Sequence, residues 1–350
     1  MRARVFGWLT IAGLLSACAA NSAPPASSAS AASASGSQAA KPAGSGPAVS
    51  VAAGKFNFAY TQVSPTFLPL FYAQDAGYFK NNGLDVALQL TQSAPGMAAL
   101  LSGQIEMSVI GGTELLNAAS AGGDVLALAS IVPVYPYVLE VQPDVRAGPD
   151  LKGKKVGITQ FGSTIDVATR VALGKVGLTA NDVTLLQLSS LSARTEALLN
   201  GAIQAGLSSP PDSLVLEAHG LHVLVDLTTS GVPATSALIV TRRSWLDAHH
   251  DQAQKAIDSL IQAVAGMKRD EPQTITVLKK YLKYDNQGDL EKTYDFYVKH
   301  VFPDLPYATP DQFKDILDTS SDPKVKSFDP TKVIDSSFVK NAEGRGVQKA

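Results

Sequence analysis

Lys154–Gly177 reads KKVGITQFGSTIDVATRVALGKVG. Its opening, KKVGIT, is a short apolar run of strand length, and QFGS is a turn. The remainder, TIDVATRVALGKVG, repeats apolar residues at helical spacing. A strand, a glycine-containing turn and a helix in that order form half of a parallel βαβ unit. The question is whether this unit stands alone.

It does not, because the same alternation runs through the chain from Lys55 onward. KFNFAYT reads as a strand, FLPLFYAQDAGYFKNN as a helix and LDVALQL as a strand. GMAALLSG, IEMSVIG and TELLNAASAG continue the alternation, and VLALASIV and YVLEVQ are further strands. After Asp150 the pattern restarts with the unit above. It continues through VTLLQL, SARTEALLNG, IQAGLSS, PPDSLVLEAHG and LHVLVDL. Short apolar runs alternating with helical periods predict an α/β fold with helices on both faces of its sheets. The late strand SALIVT is followed mostly by helices. If SALIVT returns to the first sheet, two segments join the units, near Val138–Gln142 and near Gly231–Ala237. The expected organisation is then a first lobe of residues 55–140 plus 236–350 and a second lobe of residues 141–235. A two-segment hinge joins them, and a cleft opens at the carboxyl ends of the strands, where open α/β sheets bind ligands.

At 350 residues the chain exceeds one small core. Its net charge of −2 favours neither a nucleic-acid partner nor an acidic tail. The single cysteine, Cys18, ends MRARVFGWLTIAGLLSAC, in which Arg2 and Arg4 precede a short apolar run. That is the charged start and hydrophobic centre of an export signal, too short for a retained spanning helix. Leu15-Ser16-Ala17-Cys18 resembles the lipobox of bacterial lipoproteins, in which the cysteine becomes the lipid-modified first residue. An ordinary secretory signal with an incidental cysteine is the alternative. Ala19–Gly54 is Ala, Ser, Pro and Gly with almost no charge, the composition of a flexible tether. Its span is roughly 30–35 Å from the anchor. The expected location is therefore a bacterial membrane surface, periplasmic or cell-surface, with contact through a lipid only.

LPLFYAQDAGYFKNNGLDVALQLTQSAPGMAALLSGQIEMSVIGG resembles the first lobe of ABC-transporter solute-binding lipoproteins of the sulfonate, nitrate, taurine and thiamine-pyrimidine-precursor (NMT1/THI5-like) family. DLKGKKVGITQFGSTIDVATRVALGKVGL and LLNGAIQAGLSSPPDSLVLEAHGLHVLVDL resemble its second lobe. The similarity runs from about Phe58 to Trp245 in the family's order. It implies a two-lobed periplasmic-binding-protein-like fold of type II with a helical C-terminal tail. It also implies a monomer that closes on a small molecule and delivers it to an ABC permease and ATPase. No catalysis, cofactor or metal is implied. Ligand bridging both lobes favours the closed state and shifts the population toward it.

Five strand-end turns are expected to face the cleft. Thr61 and Ser64 lie in the first, with Ser64 or Thr66 equally suited to helix capping. Ser93 lies in the second, as contact or cap. In the third, Gly111 and Gly112 allow a tight turn and close backbone approach, Thr113 is a contact that also caps, and Glu114 is a helix-dipole partner or a receptor for an amine. The fourth holds Phe161, as stacking surface or core, with Gly162, Ser163 and Thr164 at a helix start suited to an electron-rich group. Asp166 there reads as a dipole partner. The fifth holds Ser208, Pro210 and Asp212. Tyr135 and Tyr137 flank the first crossing as flat walls or as packing.

The phosphate-loop pattern GxxxxGK[ST] and the dinucleotide GxGxxG do not occur, nor does the GxSxG elbow of hydrolases. The histidines form no metal set: His249 and His250 are adjacent, and His219 and His222 flank a short turn. Thiamine-pyrimidine synthases of the same fold rely on a cysteine-rich segment and a cofactor-bearing lysine, and no cysteine follows Cys18. A precursor-binding or synthesis protein remains the alternative, as does a sensing subunit that signals to a receptor. Few arginines lie at the proposed turns, Arg194 being the nearest to a plausible one, so an organic acid or sulfonate is expected before a small oxyanion such as nitrate.

Overall fold

The computed structural model describes residues 51–188 and 190–349; Cys18, the export signal and the tether up to residue 50 lie outside them. Four strands follow one another in the first unit: β1 (Phe56–Tyr60), β2 (Val86–Leu90), β3 (Met107–Ile110) and β4 (Leu126–Val134). Five more build the second: β5 (Val138–Val141), β6 (Lys155–Ile158), β7 (Thr184–Gln187), β8 (Ala205–Ser208) and β9 (His222–Asp226). The last strand, β10 (Pro233–Thr241), goes back. It sits between β3 and β4, antiparallel to both, in a sheet ordered β2-β1-β3-β10-β4. The other sheet is ordered β7-β6-β8-β5-β9, with β5 antiparallel to β8 and β9.

The inserted topology follows from these pairings. The chain leaves the first sheet through Tyr135–Tyr137, just before the Val138–Gln142 stretch expected to carry the crossing. It returns through residues 227–232. Since β1, β2 and β3 run parallel, as do β6, β7 and β8, each sheet gathers its strand-end turns on one side. Strand β3, MSVI, is buried throughout, so its sequence is apolar but for the small Ser108 and shows no regular alternation.

One expected helix is two. Residues 67–82 break into Leu68–Asp75 and Tyr78–Asn81 because Gly77 adopts a left-handed φ of 78°, a conformation glycine takes without steric cost. The long helix Arg243–Arg269 packs on Leu68–Asp75 and on the first sheet. Its inner face joins Phe58, Phe71, Leu260 and Phe338 in the largest apolar cluster. A second cluster runs from the first sheet through Tyr135 and Tyr137 to the helix Thr164–Lys175. The third, in the second unit, holds Ala197, Leu198, Ile203, Leu216 and Leu221.

The tail closes an edge. Ser130 N–H donates to the Pro306 carbonyl (2.8 Å) and Asp335 N–H to that of Ala127 (2.9 Å), so backbone groups of edge strand β4 are satisfied by the tail. The helix Lys314–Thr319 packs against Thr164–Lys175 of the second unit. Among the described residues, no helix is long and apolar enough to cross a membrane.

Candidate functional site

The turns after β1, β2 and β3 meet those after β6 and β8 along one polar seam. Its centre is Glu114, in the first turn of helix Gly112–Ser120. Thr164, across the seam at the start of its own helix, donates its hydroxyl to Glu114 Oε2 (3.4 Å). Loss of solvent pushes the Glu114 carboxyl up, while its own backbone N–H and the hydroxyls of Thr164 and Ser93 act against that rise. Three of the five turns therefore converge on one carboxyl group.

The two glycines beside Glu114 are needed for space, since neither has a positive φ. A Cβ on Gly111 would lie 2.1 Å from Thr164 Oγ1, and one on Gly112 would lie 1.9 Å from Thr235 Oγ1. Both separations are far inside van der Waals contact. Close approach was expected here, but Thr164 and Thr235 already occupy the space. Thr113 does not cap its helix: the N-cap is Gly111, and Thr113 Oγ1 is buried with no hydrogen-bond partner.

The outer turns are joined through a residue from the tail. Ser64 donates to Thr66 Oγ1 (3.1 Å), which lies 3.5 Å from the Tyr297 hydroxyl. Tyr297 in turn donates to Ser209 Oγ (3.0 Å) in the second unit. Tyr297 is fully buried, in a π-helical turn at Asp295–Lys299. Its neighbouring sequence, YDFYVKH, reads only as part of a helical tail, and nothing in it singles this tyrosine out. Irregular turns of this kind recur at functional sites.

Several hydroxyls are occupied by local structure. Ser64 Oγ accepts from Thr66 N–H (3.2 Å) and caps the short helix Pro65–Phe67. Ser163 accepts from Asp166 N–H (3.3 Å) as N-cap and donates to the Gln160 carbonyl (2.7 Å). Capping accounts for both. Ser93 is the first helical residue; the N-cap is Gln92. Gly162 has a left-handed φ of 73°, which fixes the QFGS turn, and its N–H donates to Asp166 Oδ2 (2.8 Å). Asp166 also pairs with Arg170 (2.9 Å), as befits a first-turn acid. Phe161 is no core residue: it is 54 % exposed at the rim. Thr61 is half-buried.

At the end of β8, Ser208 Oγ is buried and unpartnered. Pro210 and Pro211 are joined by a cis peptide and are both buried. Asp212 follows at the start of its helix and accepts from Thr195 Oγ1 (3.4 Å). Burial raises its carboxyl, opposed by nearby Arg194 and by Thr195. Tyr135 and Tyr137 are both buried at the crossing, and burial pushes both phenols up. Tyr137 lies within electrostatic reach of Tyr297, Arg194 and Glu114, while Tyr135 faces Asp315 of the tail.

Comparison with known proteins agrees with this architecture. The family model described as NMT1/THI5 like matches residues 64–274. A candidate binding protein from Brucella abortus (strain 2308) is 24 % identical over 216 residues, covering 61 % of this chain and 67 % of that protein. The 4-amino-5-hydroxymethyl-2-methylpyrimidine phosphate synthase of Schizosaccharomyces pombe is 27 % identical over 150 residues, 42 % of each chain. Among solved structures, the alkanesulfonate-binding protein SsuA from Xanthomonas axonopodis pv. citri, bound to MOPS, superposes with a TM-score of 0.62 at 22 % identity. That superposition covers 76 % of this chain and 90 % of SsuA. This chain belongs to the NMT1/THI5-like family and has the periplasmic-binding-protein fold, two mixed α/β sheets with many helices.

Proposed function

We propose that this member of the NMT1/THI5-like family is the solute-binding subunit of an ABC-type importer. It is exported, anchored through Cys18, and works as a monomer beside a permease and an ATPase. It captures a small organic solute carrying a sulfonate- or carboxylate-like group between its lobes, one built on each sheet, and closes about the two crossings. The observation that carries this reading is the seam: turns from two separate sheets meet through Thr164–Glu114 and Tyr297–Ser209. A solute lodged there touches both lobes, which is the condition for ligand-driven closure. Thr61, Ser93, Gly112, Thr113, Glu114, Tyr135, Thr164, Ser208, Pro210 and Asp212 form its wall, with Phe161 at the mouth. Ser64, Gly162 and Ser163 shape the turns.

The test is a thermal-shift screen of sulfonates, aromatic acids and pyrimidines. A true ligand at a hundredfold excess over Kd adds about 2.7 kcal/mol. Scattering should show a more compact particle when it binds. A panel in which no compound raises the melting temperature refutes the reading. The partial similarity to a pyrimidine phosphate synthase supports a second reading, recognition of a thiamine-pyrimidine precursor; a response confined to the pyrimidines would favour it. A partner pull-down that recovers a receptor instead of a permease would favour a sensing role.

A further inference from the structure

Arg194 lies in helix Leu191–Leu199, the helix that crosses over β6 and β8. Those strands carry adjacent glycines under it, Gly157 paired with Gly206. A Cβ on Gly206 would lie 3.3 Å from Arg194 Cγ and Cδ, and one on Gly157 would lie 3.2 Å from Arg194 Cγ. The glycines thus form a trough for the arginine stem. Arg194 Nε donates to the Leu207 carbonyl (2.7 Å), one residue before β8 reaches its carboxyl end at the seam. Arg194 is only 2 % exposed, and among the described residues it makes no direct ion pair, although the Asp212 carboxylate lies within electrostatic reach, and its Nη1 has no hydrogen-bond partner.

A buried cation with a free N–H is costly. Arginine stays charged and presents a flat fork suited to an oxyanion. Ser208, with its own unpartnered hydroxyl, is the next residue along β8 from the anchoring carbonyl. The opposite pole is Glu114, which accepts from Thr164. Tyr137 is buried at the crossing between the two sheets, with Arg194 and Glu114 both within electrostatic reach. The register Val138↔Ser208 places it opposite Ser209, which receives the Tyr297 hydroxyl. Two acids, Glu114 and Asp212, one arginine and two phenols thus surround one short stretch of the seam, with Asp212 on the arginine side.

We infer that the seam is a two-pole site for a small amphoteric molecule, an organic acid that also bears an amine or comparable N–H donor. Arg194 Nη1 and Ser208 hold the oxyanion, Glu114 holds the donor, and Tyr137 and Tyr297 flank the part between. The inference rests on the solute-binding reading and narrows it. An anion without a donor would bring an acceptor against Glu114. A cation without an acid would leave Arg194 Nη1 without an acceptor and add a second positive charge, with Asp212 the carboxylate that opposes the arginine. Either mismatch leaves a buried polar group unsatisfied, which is worth about tenfold or more in affinity.

The test is calorimetry on the purified protein with three matched probes: para-(aminomethyl)benzoate, para-toluate and benzylamine. The wild type should bind the first at least about tenfold more tightly than either of the others. In Glu114→Gln the advantage of para-(aminomethyl)benzoate over para-toluate should vanish. In Arg194→Met its advantage over benzylamine should vanish, with Arg194→Lys as the second variant should the methionine protein not fold. Equal wild-type affinity for para-toluate and para-(aminomethyl)benzoate overturns the inference, as does discrimination that survives both variants. Binding of none of the three also overturns it. If the wider sulfonate, acid and pyrimidine panel still yields a ligand, solute binding stands; if that panel is silent too, both readings fall.

Discussion

Among buried ionisable side chains, Asp258 belongs to the first unit, and Glu140, Asp166 and Arg194 to the second. Asp258 is paired with Arg345 (2.6 Å) and also accepts from Gln254 (2.8 Å). Asp166 is paired with Arg170. Glu140 and Arg194 differ from these. Both Glu140 oxygens and Arg194 Nη1 lack hydrogen-bond partners. The surroundings differ in the same sense. The first sheet lies under the long helix, which kinks at His249, and has its β4 edge closed by the tail, whereas edge strands β7 and β9 of the second remain part-exposed. The first unit is a platform whose buried carboxylate, Asp258, is paired, although uncharged groups in it such as the Ser108, Ser130 and Thr235 hydroxyls lack partners too. The second carries buried ionisable groups, Glu140 and Arg194, that its own fold does not fully satisfy, and such groups call for an explanation beyond stability.

The largest effect should come from the platform. Phe58→Ala, in the largest cluster, should cost about 3–5 kcal/mol in urea unfolding. Leu216→Ala, in the small third cluster, should cost about 2 kcal/mol, at the low end of its class. Equal losses would erase the contrast between the units.

Glu140 tests the other side of it. Burial, with Glu217 nearby, pushes its carboxyl up from 4.5 to about 8. A raised carboxyl binds its proton more tightly in the folded state, so the fold is favoured at low pH. That advantage fades as pH climbs from the unfolded value near 4.5 to about 8. Glu140→Gln should therefore be nearly neutral below pH ~4.5 and stabilising by roughly 2–4 kcal/mol above pH ~8. A melting-temperature difference that stays flat with pH would show that Glu140 has a partner in solution.

Gly111→Ala targets the seam between the units. Its methyl group would collide with Thr164, opposing closure by about 1–3 kcal/mol. Ligand affinity should drop about tenfold, with melting of the free protein almost unchanged. Adding Thr164→Ala should leave the double variant no weaker than Thr164→Ala alone, because the collision is gone; additive losses would mean the two residues do not meet in the closed state. The smallest effect separates neighbours in one turn. Ser163→Ala removes a cap and should cost about 1 kcal/mol of stability, leaving affinity within about twofold. Thr164→Ala should do the reverse, and a large affinity loss from Ser163→Ala alone would reassign that hydroxyl.

The strands were legible because short apolar runs between glycine-rich turns have few other solutions. The turn residues were legible as a set, since polar residues at the carboxyl ends of parallel strands share one side of a sheet. Their individual roles were not. Ser64 and Ser163 carry the same hydroxyl as Ser208, and only the local backbone decides that the first two cap helices while the third has no partner. Tyr297 lies 88 residues beyond Ser209 in a helical tail, where nothing local marks one tyrosine over another. Arg194 is legible as an arginine near a turn, but not as a buried one, because the glycine trough that buries it is formed by two strands distant in sequence.

By itself the sequence determined that this is an α/β chain with two serial units, because apolar periodicity and turn chemistry are local properties. Which groups confront one another was decided by tertiary structure alone. The return of β10 to the first sheet brings Glu114 to Thr164 and Tyr297 to Ser209. A contact across a seam depends on the packing of both sides, and neither side's residues record it in their own neighbourhood.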